Sequence, residues 1–583
     1  MENNLYGVDI NEESVEIAKL SLWLRTAKPH RKLNSLNDNI KCGNSLIDDP
    51  AIAGDKAFNW ANEFPKVFEK GGFDVVIGNP PYLRVQGLRE NHEKETIFYE
   101  HNYSSATGRF DFYVLFMERG FSLLNKDGVL SFILPHKFIN ADFGVGIRGF
   151  IYKNKALKYL VSFGAEQVFS DASVYTCIIG LSQGNDSFNY AKVKPSELCE
   201  DAVNQAEMSI ESLADDTRWS FQSNEDSNII SKLNKQPLRF KDITKACSQG
   251  TVSMGDDIYM LKGEIEGDFF VGFSEQIQQS VKLEKGIMKP MLKGDDAKRY
   301  APLDNSCWEI YPHHIVNGKT VPYEESEMQE MFPLTYEYLM PFKSELVEKK
   351  IKYKTNPKYW YALHRSREIT LFETPKIITP EISLGCNMTY DTGNLYHNTQ
   401  CYTILFDEGH ERNTLAYLTI LNSNVFWFFL AKTGNILRGG YFRFKTKYLE
   451  PFPLPDLSSL ENKDNADNLT VLAEQMLSLN AQLQQKRQRF IHRFQANLGV
   501  QKITATLERF DEADFNTVLA ELKKQKISLT LTQQDEWEDY FNQYKADCNT
   551  LTAQIAATDK EIDQMVYQLY GLTEDEIKIV EGE

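Results

Sequence analysis

The sequence has no Cys-x-x-Cys pair, no clustered histidines and cysteines, no long apolar run, and no glycine-rich turn following a suitable strand. Each absence excludes something. Cysteines at 42, 177, 199, 247, 307, 386, 401 and 548 are too scattered for structural zinc and fit a reduced, cytosolic compartment. The most apolar stretch, Val425 to Ala431, falls far short of the roughly 18 residues of a membrane span. The opening MENNLYGVDINEES has neither the basic start nor the apolar segment of a signal peptide. Positive charge is scarce as well. With 64 Lys and Arg against 82 Asp and Glu, the formal net charge is −18, which argues against a nucleic-acid partner unless a local basic surface exists, because neutralised phosphates dominate such affinity.

What is present is a chain of 583 residues, too long for one core and sized for about three domains. Leu5 to Ile10 reads as a short buried strand ending near Asp9. Asn11-Glu12-Glu13 then caps a helix with apolar positions Val15, Ile17, Ala18, Leu20, Leu22 and Trp23 at roughly helical spacing. Asn39 to Cys42 reads as a second strand, followed by Gly43-Asn44-Ser45-Leu46, and Asp74 to Gly78 as a third, running into Asn79. Three strands thus end in polar residues that could face one cleft. An acid at the carboxyl end of a strand in a doubly wound sheet suits ribose hydroxyls; capping the following helix is the other reading of Asp9. Downstream, Phe110 to Leu124 has helical periodicity, while Gly128 to Leu134, Tyr159 to Phe163 and Tyr175 to Leu181 read as strands. That alternation implies an α/β sheet built as a βαβ series.

The segment FDVVIGNPPYLRV, residues 73 to 85, carries the most specific chemistry. The lone pair of an exocyclic amine such as the adenine N6 is delocalised into its ring. Two acceptors around the amine, the Asn79 side-chain oxygen and the Pro80 carbonyl, can draw its hydrogens out of plane. Pro80 and Pro81 stiffen the turn and remove two backbone donors. Tyr82 offers an aromatic face to a base taken out of its stack.

In order, GVDI, CGNSL, FDVVIGNPPY, FDFYVLFMERGFSLL and GVLSFILP resemble the motifs of S-adenosylmethionine-dependent N6-adenine DNA methyltransferases, and the whole chain resembles the methylases of type IIG restriction-modification and related phage-defence systems. The resemblance implies a Rossmann-like class I methyltransferase sheet over residues 1–185. It implies S-adenosyl-L-methionine as cofactor, bordered by Asp9, Ile10, Asn44 and Asn79, with Asp9 on the ribose and Asn44 at the adenine. Asn79, Pro80 and Tyr82 would hold the target base, and Phe169, in Glu166-Gln167-Val168-Phe169, would stack on it.

One family element has no counterpart: the first strand with its glycine-rich loop. Asp142-Phe143-Gly144-Val145-Gly146 follows the later PHKFIN loop instead of opening the sheet. In the family this strand lies between those matching Asp9 and Asn79, so an incomplete sheet is expected. An upstream polypeptide would supply the strand, and possibly a nuclease, for which no Asp/Glu/Lys constellation occurs here.

Residues 186–235 read as a linker region. Residues 236–460 resemble the α+β target-recognition domain of the same methylases, carried by Lys289 to Asp296, Lys376 to Pro380, Tyr396 to Thr399 and Pro451 to Pro455. Between Arg412 and Leu449 there is no Asp or Glu, while Lys432, Arg438, Arg443, Lys445 and Lys447 interleave with Tyr441, Phe442 and Phe444. This is the local basic surface that the acidic total requires, suited to phosphates and base edges of double-stranded DNA; a solvated basic loop is the alternative. Residues 461–583 form a helical C-terminal region, with an antiparallel pair around Leu472 to Gln495 and Trp537 to Tyr570. Function is expected to be adenine N6 methylation of a specific DNA site. The alternatives are a catalytically inactive DNA-specificity subunit or truncated fragment, and a protein glutamine methyltransferase.

Overall fold

The computed structural model describes residues 4–26, 36–85, 92–164, 166–169, 174–199, 206–213, 219, 221, 224–434 and 436–582. The chain divides into two compact mixed α/β units, Met1–Ser223 and Asn224–Glu583.

In the first unit, strand β1 (Gly7–Asp9) is followed by helix α1 (Glu12–Thr26), which returns to β2 (Ile40–Cys42). The two strands pair in parallel, Gly7 opposite Ile40 and Asp9 opposite Cys42. One stripe of α1 is buried with Val15, Ala18 and Leu22 against Leu36 and Ile40. A second apolar stripe, Ile17, Leu20 and Leu24, is exposed.

A separate six-stranded sheet starts at β3 (Phe73–Gly78) and continues through β4 (Leu124–Pro135), β6 (Thr176–Leu181), β5 (Leu157–Ser162), β7 (Ser187–Lys192) and β8 (Ala206–Ser209). Helix α2 (Tyr113–Ser122) precedes β4 on the way back from β3, and β3 and β4 are parallel, so this is a βαβ unit. The remainder departs from the expected series, since β6 runs antiparallel to both β4 and β5. Tyr6 and Val8 of the first sheet share an aromatic cluster with Phe58, Phe64 and Phe73, yet β1 and β3 make no ladder with each other.

The segment expected as a linker at 186–235 is folded in its described residues. β7 pairs in parallel with β5 and antiparallel with β8, because Phe188 and Ala191 provide the buried side chains a linker lacks. The division between units therefore falls at residue 223 and not at 185.

In the second unit, a four-stranded sheet joins Thr244–Gln249, Cys401–Phe406, Lys376–Pro380 and Thr389–Asp391, and a six-stranded sheet is built mainly from hairpins between Met260 and Ile310. Helices α3 (Thr414–Leu421) and α4 (Asn424–Thr433) are nearly all apolar. Among the described residues no single helix is long and apolar enough to cross a membrane; this pair is bent by 70° and lies in the core with Phe452, Leu469 and Ile562. The long helices α5 (Lys463–Leu498) and α6 (Leu531–Leu569) thus share one core with the recognition-like half.

Their pairing is antiparallel. Gln475 donates to Thr558 at 3.2 Å and Lys486 to Asp547 at 2.6 Å, while Phe494 meets Trp537 edge-on at 4.9 Å. Toward that end a second core, with Phe490, Phe510, Phe515 and Phe541, is closed by the short helices between them.

Candidate functional site

The carboxyl ends of β1, β2 and β3 carry the residues singled out in the sequence. Asp9, at the end of β1, is exposed. Its Oδ1 accepts a 2.8 Å hydrogen bond from the Asn11 backbone amide, and Asn11 in turn accepts from Ser14 at 3.0 Å. Asn11 therefore caps α1, and the second Asp9 oxygen has no hydrogen bond among the described residues. Ile10 beside it is exposed.

Asn44 follows β2 in a different role. Its Oδ1 accepts the Leu46 amide at 3.1 Å, its own amide donates to the Lys56 carbonyl at 2.6 Å, and the Tyr99 hydroxyl engages its side chain. This Asx turn fixes the chain behind β2.

At the end of β3, Asn79 is exposed and Pro80 buried. Neither the Asn79 side-chain oxygen nor the Pro80 carbonyl receives a hydrogen bond from a described residue. Tyr82 is half-buried, donates its hydroxyl to the Ile133 carbonyl of β4 at 3.2 Å, and packs edge-on against Tyr113 with ring centroids 6.4 Å apart. Burial pushes its hydroxyl up to about 12, so it remains a neutral ring throughout the physiological range.

The loop is clamped after Tyr82. Arg84 and Asp111 form an isolated antiparallel bridge, with the Phe112 amide donating to Leu83 at 2.7 Å and the Val85 amide to Phe110 at 3.1 Å. A rigid turn thus presents two unsatisfied acceptors and one ring at the carboxyl edge of the parallel β3–β4 pair, where doubly wound sheets bind ligands.

Phe169 lies on a segment whose Val168 packs in the cluster that includes Ile133, the residue whose carbonyl anchors Tyr82. The Phe169 ring itself is 36% exposed and no described contact brings it to Tyr82. His136, just past β4, stacks on Tyr175 at 5.9 Å. Its Nδ1 is buried without a partner, and burial lowers its pKa to about 4, so the ring is neutral. Sequence reasoning passed over His136, Lys137 and Asp111, although PHKF following an apolar strand, and DFY opening a helix, were the available signals.

The expected basic surface is altered by ion pairs. Lys432 reaches Asp226 at 2.6 Å, and Arg443 and Lys445 both reach Glu381 at 2.9 Å. Phe442 and Phe444 are buried and so are core, not stacking, residues: the alternation from Tyr441 to Lys445 is that of a short strand, whose Phe442–Arg443 pairs with Ile382–Ser383. Tyr441 and Lys447 remain exposed, Lys447 lying over the Tyr448 ring at 4.9 Å. Gly439 and Gly440, with φ of 79° and 81°, supply the left-handed turn before this strand. The Arg438 side chain lies outside the described residues.

All eight cysteines are free thiols. Among the described residues no group of His, Cys, Asp and Glu is arranged to hold a metal ion.

Comparison with known proteins places these features. Residues 3–169 match the Eco57I restriction-modification methylase family, residues 289–454 the TaqI-like C-terminal specificity domain, and residues 462–566 a domain of unknown function. The chain is 26% identical over 513 residues to the type II restriction enzyme and methyltransferase RM.Eco57I of Escherichia coli, across 83% of this chain and 51% of that relative. It is 25% identical over 414 residues to the type II methyltransferase M.BstVI of Geobacillus stearothermophilus, across 67% of this chain and 68% of the other. The chain therefore spans about half the length of the Escherichia coli relative. In fold it is similar to the type IIL restriction-modification enzyme MmeI, with a TM-score of 0.55 at 11% identity over 99% of this chain and 65% of that one. Segments that match the Eco57I restriction-modification methylase model and the TaqI-like specificity model thus follow one another in this chain, which resembles the type IIG restriction-modification methylases across both.

Proposed function

We propose that this chain holds the target base and the DNA site in a restriction-modification DNA methyltransferase that modifies the N6 of an adenine extruded from the duplex. The observation that carries this reading is the pair of unsatisfied acceptors, Asn79 Oδ1 and the Pro80 carbonyl, on a loop fixed by the Arg84–Asp111 bridge. Accepting the two amino hydrogens pulls the N6 lone pair out of the ring and makes it nucleophilic. The Tyr82 ring, tied to Ile133, stacks on the extruded base and holds it in line. No protein nucleophile is needed for a direct transfer.

S-adenosylmethionine is the cofactor we assign; when bound it supplies an electrophilic methyl group. The donor set fits it. Asp9 has one oxygen without a partner at a strand end, suited to ribose hydroxyls, and exposed Ile10 offers an apolar face beside it. Asn44, engaged in its Asx turn and by Tyr99, shapes the wall behind β2.

A further segment completes the site. The ladder is interrupted between β1 and β3. Val75 and Ile77 of β3 are 63% and 81% exposed, and the stripe Ile17, Leu20 and Leu24 of α1 is exposed with them. Unpaired strand edges and apolar stripes of this kind need cover. We assign that role to a strand and glycine-rich loop, upstream in a longer protein or on a separate polypeptide.

The test is transfer of labelled methyl from S-adenosylmethionine into duplex DNA by this chain, alone and mixed with the product of the reading frame immediately upstream, with the modified base then identified. Methylated adenine in the mixture supports the reading. DNA binding without transfer in either sample replaces it with a specificity subunit, and label in protein replaces it with a glutamine methyltransferase.

A further inference from the structure

Arg84 and Lys137 are both exposed, and neither forms an ion pair or side-chain hydrogen bond among the described residues. Arg84 lies just beyond the Asn79–Tyr82 turn that ends β3, and Lys137 lies two residues past Pro135, where β4 ends. Because β3 and β4 are parallel neighbours, both cations emerge on the same edge of the sheet as the base-holding turn. Asp111 ties them together: its backbone bridges to Arg84. Its half-buried carboxyl is pushed up by desolvation and drawn back by the charges of Lys137 and Arg84. The two cations therefore stand close to one carboxylate without being neutralised by an ion pair. Three of the cations expected in the basic run are engaged, Lys432 with Asp226 and Arg443 and Lys445 with Glu381.

We propose that Arg84 and Lys137 form a two-cation rim that receives the backbone phosphates of DNA beside the extruded base, with Asp111 as the residue that positions them. A chain with a net charge of −18 repels the duplex at long range, so phosphates must be met by local cations. Nucleotide extrusion swings the backbone toward the turn that holds the base, and the carboxyl edge of β3 and β4 is where that backbone arrives. A guanidinium and an ammonium there offer a bidentate fork and a point charge to adjacent phosphates.

This inference rests on the proposed methyl-transfer reading for the identity of the base, but its test is read on binding. Affinity for a mixed-sequence DNA duplex is measured across a salt series for the wild-type chain, for Arg84→Gln, Lys137→Gln, the double variant and Arg84→Lys, and for Lys158→Gln on β5 as a control. Thermal melting checks that each variant folds. The slope of log affinity against log salt is expected to fall by about one for each single glutamine variant and about two for the double variant. Arg84→Lys should restore the slope, Lys158→Gln should leave it unchanged, and affinity for S-adenosylmethionine should be unaffected. Unchanged slopes, an equal fall for Lys158→Gln, or a loss of cofactor affinity in their place would overturn the proposal. Absence of methyl transfer by the completed wild-type protein, with the slopes behaving as expected, would defeat the functional reading and leave the phosphate rim standing.

Discussion

The Asp563 carboxylate of α6 accepts two hydrogen bonds from Asn424, one from its backbone amide at 3.0 Å and one from its side-chain amide at 2.9 Å. Asn424 is the first residue of α4, so an acid from the C-terminal helix faces a helix amino terminus in the recognition-like half, where negative charge is favoured. Arg299 reinforces the junction, pairing with Asp559 one turn earlier on α6 and donating to the Asn422 carbonyl at 2.7 Å. Through these contacts the C-terminal helices and the segment that matches the TaqI-like specificity model share one core and one polar lock.

Burial raises Asp563 from 3.8 to about 6 against the opposing pull of the Asn424 hydrogen bond. A folded-state value above the unfolded one contributes stability that is complete below about pH 4 and is lost as pH rises through about 6. Relative to Asp563→Asn, the wild-type melting temperature should therefore fall between about pH 4 and pH 7. A difference that stays flat across this range would show that the carboxyl is not titrating at the junction.

Glu309 presents the same physics at higher pH. It is fully buried, its two oxygens lie 3.1 and 3.0 Å from the single Thr251 hydroxyl, and burial pushes it up to about 8. The carboxyl is accordingly neutral at pH 7, and its contribution to stability declines from its ordinary value of 4.5 upward and is gone once pH has risen through about 8. Glu309→Gln, which keeps a neutral group of similar shape, should make melting less sensitive to pH between about 5 and 8, where the wild type loses stability.

Replacing Asn79 by Ala removes one of the two acceptors while touching no described packing contact. Methyl transfer should drop by roughly a hundredfold or more, with DNA affinity and melting temperature nearly unchanged. Parallel loss of binding and transfer would mean that Asn79 supports the fold or the duplex instead of the reacting amine.

Glu381 pairs with both Arg443 and Lys445. Glu381→Gln should release both and steepen the salt dependence of DNA binding by as much as about two in the log–log slope. If the slope stays the same, those side chains do not reach phosphates, and the strand they sit on serves only the core.

Much of the first unit was legible from residue order. The turn Asn79 to Tyr82 after an apolar strand, Asp9 at the end of β1, and the interruption between them follow from local patterns: strand period, proline geometry and the missing glycine loop. Helix positions were also readable, since α5 and α6 cover nearly all of the stretches expected from Leu472 to Gln495 and from Trp537 to Tyr570, each starting more than a turn earlier. Reading failed where partners are remote. The segment after residue 185 looked like a linker because β7 and β8 are short and polar on one side, and only their ladder to β5 gives them a place.

By itself the sequence determined where the turn at Asn79 falls, directly after the strand Phe73–Gly78, and the α/β character of the first unit. Only the tertiary structure decided which charges remain available. A run free of acids along the chain is not free of them in space: Asp226 meets Lys432 across 206 residues and Glu381 meets Arg443 across 62. Arg84 and Lys137, unremarkable in sequence, keep uncommitted charges because parallel strands bring their ends to one edge. Coulomb pairing depends on distance through the fold, and that distance is set by packing and not by position in the chain.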